Sequence, residues 1–330
     1  ESWSQSYQER TNDIDVAPDN AANMIAGTWQ GVVYSTDAGD TWTSSTGLDG
    51  ISGRTEVAYA TSDSNIVYAS IDNNSGEVYK STDGGQSFSL VNSGTSYLGS
   101  QGWYDNALWV DPVDANHIIV GGIDLFRSTN GGQNLTQISS WWAAPDSAHA
   151  DHHFILQHPD YDGVTNKQVF FANDGGMYTA QDVTSVVSGW IDTGWQELNN
   201  QLSITQFYSI GVAPDGTIIA GTQDNGTLVY KTDEQGVGDS EAWYETFGGD
   251  GGYSAADPTD SNYLYGEYVY LNIHRSTNGG GANSSNYIYD AKMEDGALFI
   301  APFILDPNNP NRLLGGAAEL WVSDNVKDFS

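Results

Sequence analysis

Three of the chain's six histidines fall within His149-Ala150-Asp151-His152-His153, beside a carboxylate. On a pleated strand His149, Asp151 and His153 would share one side, at i, i+2 and i+4, while His152 faces the other. Such a set suits a transition metal, or an Asp-His pair working as acid and base. The same residues also serve simply to hydrogen-bond one another and nearby loop backbone. Three glycine-flanked acids recur in similar contexts: Asp174 in Asn173-Asp174-Gly175-Gly176, Asp224 in Gln223-Asp224-Asn225-Gly226, and Asp250 in Gly249-Asp250-Gly251. Oxygen-rich loops of this kind suit calcium or another divalent metal, and equally suit plain turns. None has the carboxylate spacing of an EF-hand. The candidate metal ligands are His149, Asp151, His153 and Asp174. The candidate catalytic carboxylates are Asp151, Asp224 and Asp250, out of a wider set that includes Asp105 and Glu319. Glycoside hydrolysis needs two such groups roughly 5 to 10 Å apart. Polar and aromatic residues that would grip a sugar are Trp29, Arg54, Trp103, Tyr104, Gln206, Tyr208, Gln223 and Tyr268. The aromatic ones are also suited to packing between sheets.

Those residues need an architecture that gathers them, and a recurrence in the chain supplies it. Ser35-Thr36-Asp37-Ala38-Gly39-Asp40-Thr41-Trp42 returns as Ser81-Thr82-Asp83-Gly84-Gly85-Gln86-Ser87-Phe88, and more loosely at Ser128, Ser276 and Ser323. Each copy reads as a hairpin turn: an alternating strand arrives, Asp and Gly supply the turn chemistry, and an aromatic opens the return. A longer phrase surrounds each turn, with a strand ending near Asp-Pro or Ala-Pro and then a second strand ending in Gly. Its openings begin near Ile14, Glu56, Leu108, Ile155, Ile210, Ser254 and Ile304. A period of roughly 45 to 50 residues carrying four short strands is that of a propeller blade. The expected fold is therefore all-β, a seven-bladed β-propeller of four-stranded antiparallel blades. Residues 1–330 form a single propeller in this reading, with the N-terminal segment Glu1–Ser4 completing the last blade, and the chain is a piece of a longer secreted one. Only Asp182 to Gly189 suggests a helical turn.

The pattern S-x-D-x-G-x-[ST]-[WF] resembles the Asp-box of the bacterial neuraminidase repeat. The ordered set from His149 through Asn173-Asp174-Gly175-Gly176, Asn199-Asn200, Gln206-Phe207-Tyr208 and Gln223-Asp224-Asn225-Gly226 to Gly249-Asp250-Gly251 is similar to a series in large secreted bacterial proteins. Those are described as sortilin-type or glycosyl-hydrolase-like repeat proteins. The resemblance implies a propeller whose Asp-box turns lie at one end of the blades and whose functional loops lie at the other. A sialidase of this class grips its substrate carboxylate with three arginines. Of the five arginines here, Arg127 and Arg275 precede turns and Arg312 lies in a linking turn, so that grip cannot be assembled from Arg10 and Arg54. No motif matches the two-propeller xyloglucanases.

Composition narrows the partners. With 10 basic against 43 acidic residues the formal net charge is -33, which argues against nucleic acid or insertion into an anionic membrane. No apolar run approaches the roughly 20 residues of a membrane helix. Cysteine is absent, which excludes disulfides and thiolate chemistry. The expectation is an extracellular or cell-surface protein whose partner is a polysaccharide or glycoprotein, with hydrolysis through rim carboxylates as its catalytic form. The alternative is a non-catalytic protein-interaction or adhesion module of a larger surface protein.

Overall fold

A computed structural model describes residues 5–188, 193–200, 205–231, 243–281 and 284–328. The chain forms two compact units, Glu1–Gln201 and Leu202–Ser330. Seven antiparallel up-and-down sheets follow one another along it, so the fold is an all-β, seven-bladed propeller.

The first unit holds four blades. Blade 1 is β1 (Thr11–Val16), β2 (Met24–Thr28), β3 (Gly31–Ser35) and β4 (Thr43–Ser44), and blade 2 is β5 (Thr55–Ala60), β6 (Asp63–Ile71), β7 (Glu77–Ser81) and β8 (Ser89–Asn92). Blade 3 is β9 (Ala107–Val110), β10 (Ile118–Gly121), β11 (Leu125–Ser128) and β12 (Thr136–Gln137), and blade 4 is β13 (His152–Gln157), β14 (Val169–Asn173), β15 (Gly176–Ala180) and β16 (Trp195–Glu197). The second unit holds three. Blade 5 is β17 (Phe207–Val212), β18 (Ile218–Thr222), β19 (Thr227–Tyr230) and β20 (Trp243–Phe247), and blade 6 is β21 (Ser254–Ala256), β22 (Leu264–Glu267), β23 (Ile273–Ser276) and β24 (Asn286–Tyr287). Blade 7 is β25 (Phe303–Leu305), β26 (Leu313–Gly316) and β27 (Leu320–Ser323). Six sheets are thus four-stranded as expected, while the seventh has three strands among the described residues. The N-terminal residues expected to complete it, Glu1–Ser4, lie outside the described residues.

Within each unit, neighbouring blades bury the apolar middle of their strands against one another. In the first unit, Ile25, Val57, Tyr59, Val67 and Phe88 pack between blades 1 and 2, and Tyr68, Val78, Val110, Ile118 and Val120 between blades 2 and 3. Trp109, Ile119, Ile155, Phe171 and Tyr178 fill the space between blades 3 and 4. Polar bonds add register: Asp13 and Asp15 on β1 accept from the backbone N–H of Val57 (2.9 Å) and Tyr59 (2.8 Å) on β5. In the second unit Tyr265, Leu271, Ile273, Phe303 and Leu313 form the largest apolar cluster.

The recurrent Ser turns fold alike. Ser35 Oγ donates to Asp37 Oδ1 (2.7 Å) and accepts from Gly39 N (2.9 Å), and Thr41 N donates to Asp37 Oδ1 (2.9 Å). The same three bonds recur at Ser81, Asp83, Gly85 and Ser87, and at Ser128, Asn130, Gly132 and Asn134. Ser276 donates to Asn278 (3.0 Å) and accepts from Gly280 N (2.8 Å), and Ser323 donates to Asn325 (3.1 Å). The first four of these turns join third to fourth strands, and the one at Ser323 follows the third strand of blade 7. By the antiparallel order, the loops from second to third strand, and those from one blade to the next within a unit, lie at the opposite strand ends. No helix forms over the described part of Asp182 to Gly189, where Asp182 Oδ1 instead caps a turn by accepting from Thr184 N (2.9 Å). The short helical turns are 3-10, at Trp141–Ala143 and Ala291–Glu294.

Candidate functional site

In the first unit the loops entering β5, β9 and β13 carry the chemistry. Residues 98–105 coil tightly ahead of β9: Gln101 N donates to Leu98 O (3.2 Å), and Tyr104 N (2.7 Å) and Asp105 N (3.0 Å) both donate to Gln101 O. This coil sinks Asp105 completely, and no donor reaches either of its carboxyl oxygens. Its neighbour is another carboxyl, Asp151. Two carboxyls that touch with no donor between them must share a proton. Burial, followed by the charge of Asp151, accordingly holds Asp105 far above the usual carboxylate range. Burial raises Asp151 too, against the hydrogen bond it receives from Asp105. The pair titrates as one unit, shifted above the ordinary carboxylate range.

Asp151 sits with φ at 63°, a left-handed conformation that Asp tolerates better than most side chains, and it receives Gln101 Nε2 at 3.2 Å. Strand β13 begins only at His152, so His149, Asp151 and His153 do not share a pleated face. The expected three-in-line arrangement is replaced by one in which each residue has its own contact. His149 lies flat on Gly175, where an added Cβ would stand 2.2 Å from the imidazole Cγ. On the next residue, a Cβ at Gly176 would stand 2.1 Å from Asn199 Oδ1, the atom that accepts from Met177 N at 2.8 Å. The Gly-Gly pair after Asp174 is therefore clasped from both sides, which explains its presence.

Asp174 is the second acid of the site. His153 Nε2 lies 2.6 Å from its Oδ1, and the Tyr104 hydroxyl donates to its Oδ2 at 2.7 Å. Hydrogen bonds of this kind favour an ionised carboxylate. An oxygen of Asp174 lies within 4.8 Å of one of Asp151. The Tyr104 ring meets His153 edge-on with centroids 5.0 Å apart, and Trp103 follows on Tyr104 at 5.7 Å. His152 faces away and is fully buried, and burial depresses it to about 3, so its imidazole is neutral.

Arg54 ties the site to blade 2. Its Nε donates to Glu56 Oε1 at 2.8 Å and its Nη1 donates to the Tyr104 carbonyl, so the guanidinium braces the loop that carries Trp103 and Asp105. Glu56 contacts Asp13, and burial together with that acid pushes it up to about 8. Trp29 stands apart under Arg10, whose guanidinium carbon is 5.1 Å from the ring centroid.

In the second unit Gln206, Tyr208, Gln223, Asp224, Asp250 and Tyr268 come together by a different logic. Asp224, with φ at 58°, donates its backbone N–H to Asp250 Oδ1 (3.1 Å). Tyr208 donates to Gln223 Oε1 (3.1 Å), and Gln223 N donates to Gln206 O (3.0 Å). The Tyr268 ring covers Gly249. Asp250 is thus a loop clasp. A further buried acid, Glu267, accepts from Tyr253 N (3.0 Å), Leu271 N (3.0 Å) and Ala301 N (2.8 Å), and burial pushes it up to about 7 despite these donors. Glu319 lines a pocket of about 260 Å³ with Lys292, Asp295, Ala318 and Trp321.

Sequence reasoning placed Asp105 on the rim without marking it as half of a pair, and it passed over Glu56 and Glu267. Asp105 and Asp151 lie two residues and one residue ahead of the first strand of their blades.

No family model matches the chain, and no curated protein matches it. Similar solved structures include the GH74 xyloglucanase from Xanthomonas campestris, at 16% identity and a TM-score of 0.45, over 98% of this chain and 53% of that one. The GH74 enzyme of Niastella koreensis is similar at 18% identity and a TM-score of 0.41, over 96% of this chain and 62% of that one. YCF48 from Cyanidioschyzon merolae is similar at 14% identity and a TM-score of 0.40, over 96% and 95%. The chain therefore spans about half the length of the first of these xyloglucanases.

Proposed function

We propose that the protein is an extracellular or cell-surface propeller of the Asp-box kind, and that the loop end of its first unit binds a polysaccharide and hydrolyses it through Asp151 and Asp174. The observation that carries this reading is the contrast between two neighbouring carboxyls. Asp151 is hydrogen-bonded to buried Asp105 and burial raises both, while Asp174 lies against His153 Nε2 and accepts from the Tyr104 hydroxyl. Glycosidic cleavage uses two acids in unlike surroundings, one to protonate the leaving oxygen and one to meet the developing positive charge. Asp151 is the member of the proton-sharing pair that reaches solvent, so it delivers the proton, and Asp105 stands behind it as a positioning residue. The close approach of Asp151 to Asp174 favours the retaining geometry, in which Asp174 attacks the sugar carbon.

Reducing-sugar release from a panel of soluble polysaccharides tests the reading. Turnover should appear on at least one of them and fall about a hundredfold or more in both Asp151→Asn and Asp174→Asn, with the fold retained by circular dichroism. Release that survives both substitutions, or no release from any polymer, removes the catalytic assignment. Retention of a protein partner with no glycan bound would favour an adhesion module instead.

A further inference from the structure

Two indoles on the loop that leads into β13 are more exposed than covered. Trp141 and Trp142 are 53% and 63% exposed at consecutive positions, and Trp103, on the neighbouring loop, is 61% exposed. A large apolar side chain on display is informative when the backbone beneath it is fixed, because the display is then built in rather than incidental. Here it is fixed at several points. Trp141 N donates to Asp124 Oδ1 (2.8 Å), which also receives Ser139 Oγ (3.1 Å), and Gln137 Nε2 donates to the other oxygen (3.0 Å). Beyond the pair, Ala143 N donates to Ser140 O (2.8 Å), and Ser140 N donates to Ser147 Oγ (2.8 Å).

The backbone beneath the indoles is bonded to the segment that carries the acids. Asp124 closes the turn at Gly122, whose carbonyl accepts from His152 N (2.9 Å), one residue beyond Asp151. A Cβ on Gly122 would stand 3.2 Å from Leu98 Cα, at the start of the coil that carries Trp103 and Asp105. One turn therefore joins the base of Trp141, the entry to β13 and the Trp103 loop.

We propose that Trp141, Trp142 and Trp103 form a rigid aromatic platform that seats an uncharged polysaccharide chain alongside Asp151. The proposal rests on the glycan reading above and adds the class of chain. Indole faces stack on the C–H faces of pyranose rings, and rigid aromatics do so with little entropic cost. The groups bordering the platform, Asp124, Gln101, Gln137 and Asp151, are polar acceptors and amides suited to hydroxyls rather than the apolar rim expected around a protein hot spot. The net charge of -33 repels uronate and sulfate polymers, which leaves uncharged chains as the fitting occupant.

The test is affinity electrophoresis of the full chain at physiological salt in gels containing a β-1,3-glucan, a mixed-linkage glucan or a galactomannan, with alginate and pectate as anionic counterparts. At least one uncharged polymer should retard the protein and neither anionic one should. Trp141→Ala, Trp142→Ala and Trp103→Ala should each weaken retardation about tenfold, the scale of an aromatic hot spot, with melting temperatures unchanged because these side chains are exposed. Wild-type retardation of all three variants, retardation only by anionic polymers, or retardation by none overturns the platform. Intact, tryptophan-dependent retardation without sugar release from the wild type would leave the platform standing and remove the hydrolysis.

Discussion

The shared proton of Asp105 and Asp151 makes a specific claim about single residues. If the pair supplies the proton, activity is lost as pH rises through its upper titration, which burial and mutual repulsion place well above the ordinary carboxylate range. Asp105→Asn cannot carry the second ionisation, so Asp151 then titrates alone. The basic limb of the kcat/KM profile should move to lower pH in that variant while binding is retained. An unshifted limb would show that Asp105 has no part in the proton's affinity. The pairing was beyond the reach of sequence reasoning for a geometric reason. Asp105 and Asp151 are 46 positions apart in the chain on different blades, and neither the closeness of two carboxyls nor the absence of a donor between them leaves a local trace. His149 is the complementary case. Its spacing to Asp151 and His153 suggested one strand face, but β13 starts at His152 and the histidine instead packs on Gly175.

At the scale of elements the chain was far more legible, because strands and turns are written in local chemistry. All seven opening strands and all seven second strands form where the repeated phrase put them; all five Ser recurrences share the bond from the Ser hydroxyl to the Asp or Asn two residues on, and four add the return bond from the Gly amide. The copies also expose a local flaw. Ala38 adopts φ 61° where the equivalent Gly84, Gly131 and Gly279 adopt 72°, 69° and 74°. An L-residue there costs on the order of 1–2 kcal/mol, partly offset by the chain entropy that Gly gives up on folding. Ala38→Gly should therefore stabilise by about 0.5–1 kcal/mol, read as a higher urea midpoint with an unchanged slope. A lower midpoint would mean that the turn is not strained. The helical turn expected near Asp182 failed for a related reason, since Asp182 uses its carboxylate to cap a non-helical turn, a competition to which short polar side chains are prone.

For the molecule as a whole, buried acids set the direction of pH dependence. Glu56 rises from 4.5 to about 8 and Glu267 from 4.5 to about 7 on folding, and Asp105 moves the same way. In each case the native state holds a proton that the unfolded chain releases. Their contribution to stability is full below about 4.5 and is lost as pH rises through 7 to 8. Mutual repulsion among 43 acidic residues acts in the same sense. The melting temperature should accordingly fall between pH 5 and pH 8.5, and Glu56→Gln should flatten the decline. A melting temperature that rises across this interval would mean that these acids are ionised in the native state.

The outermost strands β4, β12 and β24 are each two residues long. A border that brief offers scarcely one unsatisfied rung to a passing neighbour, so on those blades the sheet ends without inviting another chain to extend it. Restraint of that sort limits edge-to-edge pairing at those three blades independently of charge.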